Sequence, residues 1–84
     1  MTSFKSIIST KDGSFYKVIM QHENEYRHGC IDVFAKRVED KHYVRIIGYD
    51  PFERTYDAYN DFGNINKQKL KEKKLDFFYK RYLN

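Results

Sequence analysis

Residues 50–63, DPFERTYDAYNDFG, decide the fold, because two readings compete there. Asp50-Pro51-Phe52-Glu53 is a helix-start signal: Asp caps free amides, proline is tolerated in the first turn, and the following glutamate can complete a capping box. Phe52, Tyr56 and Tyr59 follow at helical spacing, and Gly63 is a C-terminal stop. On that helix the acids Glu53, Asp57 and Asp61 recur every four residues as one negative stripe. The competing reading makes residues 53–62 a fifth strand, since Thr, Tyr and Phe also suit a pleated sheet. The start signal favours an acidic helix over residues 50–62, and that is the expectation adopted.

Before this stretch, residues 1–49 read as an antiparallel sheet of four strands. Residues 4–9 alternate apolar and polar side chains, and Lys11-Asp12-Gly13-Ser14 supplies a tight turn into a second strand over residues 15–21. Residues 22–29, HENEYRHG, are polar and without period, hence a loop. A third strand over residues 30–37 sets Ile31, Val33 and Ala35 against Asp32, Phe34 and Lys36. After the charged turn Glu39-Asp40-Lys41, a fourth strand over residues 42–49 sets Val44 and Ile46 against Tyr43, Arg45, Ile47 and Tyr49.

After it, residues 65–83 read as a basic, aromatic helix capped by Asn64 or Asn66. Leu75, Phe78, Tyr79 and Tyr82 fall at i, i+3, i+4 and i+7 and form its expected docking face. The fold class that results is α+β: a single domain, 1–84, with an antiparallel sheet of about four strands and two C-terminal helices packed on one face.

At 84 residues such a domain is near the size where one core is only marginally stabilising, and eight Tyr and seven Phe compensate for the small size. The single cysteine, Cys30, cannot close an internal disulfide and suits a reducing cytosol, as a small buried apolar group. No signal peptide or membrane-spanning run is visible, so a soluble cytoplasmic protein is expected. The net charge of +4 is unevenly placed. Residues 39–61 carry three basic and six acidic side chains, whereas residues 66–84 carry seven basic and two acidic. That concentration permits a polyanionic partner.

Binding to a single nucleic-acid strand needs cations for phosphates and flat rings for bases. The final helix offers Lys67, Lys69, Lys71, Lys73, Lys74, Lys80 and Arg81. The outward faces of strands two to four offer Lys17, Phe34, Lys36, Tyr43 and Arg45. These are the candidate nucleic-acid-binding residues, with RNA the expected partner. Neither an RNP1 sequence nor a glycine-rich phosphate loop is present. The acids Glu53, Asp57 and Asp61 are the candidate protein-binding set, able to dock on a basic, nucleic-acid-binding protein. The loop carrying His22 and His28 lacks zinc-site spacing, so no metal and no cofactor are expected. A metal-free ribonuclease built on Arg27, His28, Tyr43 and Arg45 is the enzymatic alternative, and His42 reads as a structural or surface histidine. The main expectation is a non-enzymatic protein that contacts RNA, or an RNA-handling enzyme, through the C-terminal basic helix and the adjacent sheet face, and the alternative is a protein–protein inhibitor acting through the acidic stripe without RNA. An exposed aromatic sheet face would also allow self-pairing.

In general character, a short tryptophan-free chain whose tail over residues 67–84 is crowded with Lys, Tyr, Phe and Asn, the sequence resembles the small accessory proteins of T4-like bacteriophages. Among these it is similar to the TifA-like inhibitors of toxin endoribonucleases. The resemblance implies a counter-defence protein in the host cytoplasm that neutralises an RNA-cleaving toxin and associates with RNA. It assigns no residue a role.

Overall fold

The computed structural model describes the backbone of residues 6–83 and the side chains of residues 6–79. Five strands, β1 (Ile7–Ser9), β2 (Phe15–Glu23), β3 (Ile31–Arg37), β4 (Tyr43–Tyr49) and β5 (Ala58–Gly63), precede one helix, α1 (Lys67–Leu83). They form an antiparallel meander in sequence order. The α+β class therefore stands, with five strands in place of four and one helix in place of two among the described residues. The start of the first expected strand, including Phe4, and the side chains of Lys80, Arg81 and Tyr82 lie outside the described residues.

The correction falls on residues 50–62. The capping chemistry at Asp50 is real: its Oδ1 accepts the amides of Phe52 at 2.8 Å and Glu53 at 3.2 Å. It builds only one turn. Arg54 donates its amide to the Asp50 carbonyl at 2.7 Å but takes φ +61°, a left-handed conformation that stops a helix from propagating. The chain returns to extended geometry and pairs with the open edge of β4, Tyr59 opposite Ile46 and Asp61 beside Val44. A continuous helix would have left that edge of β4 without backbone partners.

One face of the sheet holds Ile8, Tyr16, Val33, Ala35, Val44, Ile46 and Tyr49, with Val18, Ile31 and Tyr59 packed against them. Among the described residues no helix covers this core; the sheet curls over it. Strands β2 and β5 are three positions apart, about 14 Å in a flat sheet. Yet the Tyr16 and Tyr59 hydroxyls meet at 3.0 Å, and Tyr49 Oη donates to the Ser9 carbonyl at 2.7 Å. Register shifts in β2, β4 and β5 supply the extra twist.

The shift in β4 also changes which way Tyr49 faces. Strict alternation put Tyr49 with Tyr43 and Arg45; instead it is buried with Ile46. Gly48 absorbs the change at φ +70°, its amide bonded to Asp32 Oδ1 at 3.0 Å. A Cβ at this position would collide with the Asp57 carboxylate, which is held by Arg27 at 2.6 Å. Glycine is required there twice over, for conformation and for space.

Helix α1 lies on the other face of the sheet. Asn66 Oδ1 caps it by accepting the Lys69 amide at 2.8 Å, as its side chain and position suggested. The docking face is not the expected one. Leu70, Lys73 and Phe77, at i, i+3 and i+7, turn inward, whereas Leu75, Phe78 and Tyr79 are 45–51% exposed. Phe77 is only 3% exposed and packs on Phe34 and His22, ring centroids 6.3 and 4.8 Å away. Lys73 places its ammonium 4.5 Å from the centre of the Phe62 ring. Phe34, expected to face outward as a platform for bases, is buried beneath this cluster.

Candidate nucleic-acid interface

Pairing across the sheet aligns residues far apart in sequence. Ile7 opposes Lys17, Lys17 opposes Lys36, and Lys36 opposes Tyr43, so the four side chains form one transverse row on the α1 side. The Lys36 ammonium sits 5.3 Å from the centre of the Tyr43 ring. Above the row, Leu70 and Lys74, one helical turn apart, close the opposite wall. Between them lies an open groove of about 390 Å³, with an apolar lining from Ile7, Ile19 and Leu70 and a rim of Lys17, Lys36, Lys74 and Tyr43.

Like charges directly opposite on neighbouring strands destabilise a sheet. Lys17 and Lys36 occupy such a pair, and Lys74 adds a third cation. Among the described residues every ion pair is made by Arg or His, and none joins a carboxylate to these three ammonium groups. The first turn of α1 likewise carries no acid to balance its dipole. The groove thus combines three ammonium groups with an apolar lining.

The remaining candidates are dispersed. Lys67, Lys69 and Lys71 project from the exposed side of α1. Lys73 is half-buried against Phe62 and acts as part of the helix–sheet contact. Arg45 lies under α1 rather than in the groove, its Nη2 donating to Asn60 Oδ1 at 3.2 Å and its Nη1 3.9 Å from Asp76. Its buried Nε has no hydrogen-bond partner among the described residues. Sequence reading missed Ile7, Ile19 and Leu70. The i, i+4 spacing of Leu70 and Lys74 was available as a signal, but the other two are recognisable only once strand register is known.

The acidic stripe does not exist as a stripe. Glu53 sits on the exposed turn, Asp57 is bonded to Arg27, and Asp61 on β5 is bonded to Arg37 at 2.7 Å. The ribonuclease constellation is also pulled apart. Arg27 and His28 belong to the loop over residues 24–30, beside the Tyr49 end of β4, whereas Tyr43 begins that strand, roughly 20 Å away along it. His22 packs on Phe77, and His42 lies 3.2 Å from Asp61.

Most of the perturbed titratable groups cluster on the opposite side of the sheet, at Arg37. Its guanidinium forks onto Asp40 at 3.0 and 2.7 Å, reaches Asp61, and donates to Tyr59 Oη at 2.6 Å. The bonds to Asp40 and Asp61 hold Arg37 even more firmly protonated than usual. Arg37 in turn lowers Asp40 to about 2 and holds Asp61 below its ordinary value. Burial, then the Tyr16 hydroxyl, pushes Tyr59 up. This network ties β3 to β5 and faces away from the groove.

No helix among the described residues is long and apolar enough to cross a membrane. No protein family, curated protein or solved structure was found to match the chain.

Proposed function

We propose that this chain is a non-enzymatic module that binds single-stranded RNA in the groove between α1 and the sheet. The observation that supports it is the convergence of Lys17, Lys36, Tyr43 and Lys74, from four separate elements, on one apolar-lined groove with no carboxylate among its described lining residues. Lysines meet phosphates there, and a base can lie against Tyr43 and the apolar lining. The test is fluorescence anisotropy with a labelled unstructured RNA of about twelve nucleotides, across a salt series. Replacing Lys17, Lys36 and Lys74 together by glutamate is expected to weaken binding by about 100-fold or more. It should also flatten the slope of log K against log salt by about 2, at roughly 0.7 for each phosphate that is no longer neutralised. Equal affinity and slope in this variant, with its circular dichroism unchanged, would place the RNA elsewhere. A DNA strand of the same sequence reports how much of the affinity depends on the 2′-hydroxyl.

The resemblance to inhibitors of toxin endoribonucleases extends the proposal to an accessory protein that binds RNA together with an RNA-handling enzyme and thereby inhibits it. If RNA bridges the two, nuclease treatment of a tagged, cell-purified complex is expected to release the enzyme. A complex that survives nuclease intact would mean direct protein–protein inhibition instead.

A further inference from the structure

A second hollow continues the first. It measures about 370 Å³ and is lined by Ile19, Met20, Lys74, Leu75 and Phe78, so Ile19 and Lys74 belong to both. The bulge in β2 creates this continuity. Lys17 opposes Lys36 and Met20 opposes Phe34, which puts Lys17 and Met20 on one face although they are three residues apart. Ile19 and Met20, adjacent in sequence, therefore both line the α1 side. The helix side of the second hollow is formed by Leu75 and Phe78, each 45% exposed and outside the buried stripe of α1.

Two apolar hollows joined under one ammonium group match the repeat of a single strand: base, phosphate, base. We propose that the groove is a two-nucleotide site, with one base against Tyr43, the next against Leu75 and Phe78, and the phosphate between them on Lys74. This rests on the RNA-binding reading above and adds to it a register and a requirement for unpaired bases. A duplex does not fit, because its bases are turned inward and cannot enter either hollow.

The experiment compares three labelled probes of equal length, an unstructured pyrimidine RNA, the same backbone with its bases removed, and the RNA annealed to its complement. Proteins are the wild type, Phe78→Ala and, as a second exposed position, Leu75→Ala. The wild type is expected to bind the RNA at least about 10-fold more tightly than the abasic strand or the duplex. Phe78→Ala is expected to lose about 5- to 150-fold on the RNA, the range for one stacked base, while its affinity for the abasic strand changes less than about 2-fold. A preference for bases undiminished in both variants would overturn the second subsite and leave RNA binding in place. Equal affinity of the wild type for RNA and abasic strand would reduce the groove to a polyanion site, and binding of neither would remove both proposals.

Discussion

Replacing Phe77 by alanine is expected to free α1 from the sheet while the sheet stays folded. Phe77 is the one aromatic of α1 that is fully covered among the described side chains, and truncating such a ring costs about 3–5 kcal/mol. A domain of this size has only about 4–13 kcal/mol in total. The two sides of the sheet have separate cores: Val33, Ala35, Val44 and Ile46 are buried on the side away from α1. Loss of Phe77 therefore falls on the helix–sheet interface, and a detached helix of 17 residues is marginal in water. Hydrogen exchange is the direct measurement. Amides of residues 71–78 should exchange about 100- to 1000-fold faster, at 1.4 kcal/mol per tenfold, while those of Val33 and Ile46 keep most of their protection. Unchanged protection of the helix amides would show that Phe77 is not its anchor. Because the groove has one wall on α1, the same variant should lose RNA binding with all three lysines intact.

The second large effect is expected at Arg37, whose side chain is 14% exposed and has Asp40, Asp61 and the Tyr59 hydroxyl as partners. Arg37→Met keeps the apolar stem and removes the fork. It leaves two carboxylates facing each other and a half-buried tyrosine hydroxyl short of a donor. Removing one member of a buried ion pair costs about 3–5 kcal/mol. Both carboxylates are more than a third exposed, so about 2–4 kcal/mol is the expected loss here, a fall in Tm of roughly 10–20 °C. The pH dependence gives an independent check. Asp40 and Asp61 have folded values below the ordinary 3.8, so the stability they contribute is fully present above that value. It is lost as pH falls towards about 2, the folded value of Asp40. In Arg37→Met the largest cause of that linkage is removed. The urea midpoint of the wild type should drop steeply between pH 4 and pH 2, and the gap between the two proteins should narrow over the same interval. A gap that is constant with pH would mean that Arg37 acts through packing alone.

Both effects arise where long-range partners overrode local pattern. The strands β1 to β4 were legible because alternation is local: Val33 and Ala35, then Val44 and Ile46, point one way whatever covers them. The turn at Gly13, the Asn66 cap and the concentration of lysine in the last helix were legible for the same reason. The stretch 50–63 was not. Its start signal is satisfied at Asp50, but the free edge of β4 and the positive φ of Arg54 lie outside any local window. Tyr49 was assigned to the wrong face because Gly48 slips the register by one residue.

The sequence by itself determined that an antiparallel sheet forms, which residues of β3 and β4 make its core, and that cations gather on the terminal helix. Only the tertiary structure decided which stripe of that helix docks. Phe77 and the run Leu75, Phe78 and Tyr79 are comparable in hydrophobicity, and the choice depends on the pocket that Phe34, Phe62 and His22 present across the gap. That choice turns Leu75 and Phe78 outward and carries Lys74 over Lys17 and Lys36. Burial is a property of two matching surfaces, and a single chain segment read in isolation specifies one of them.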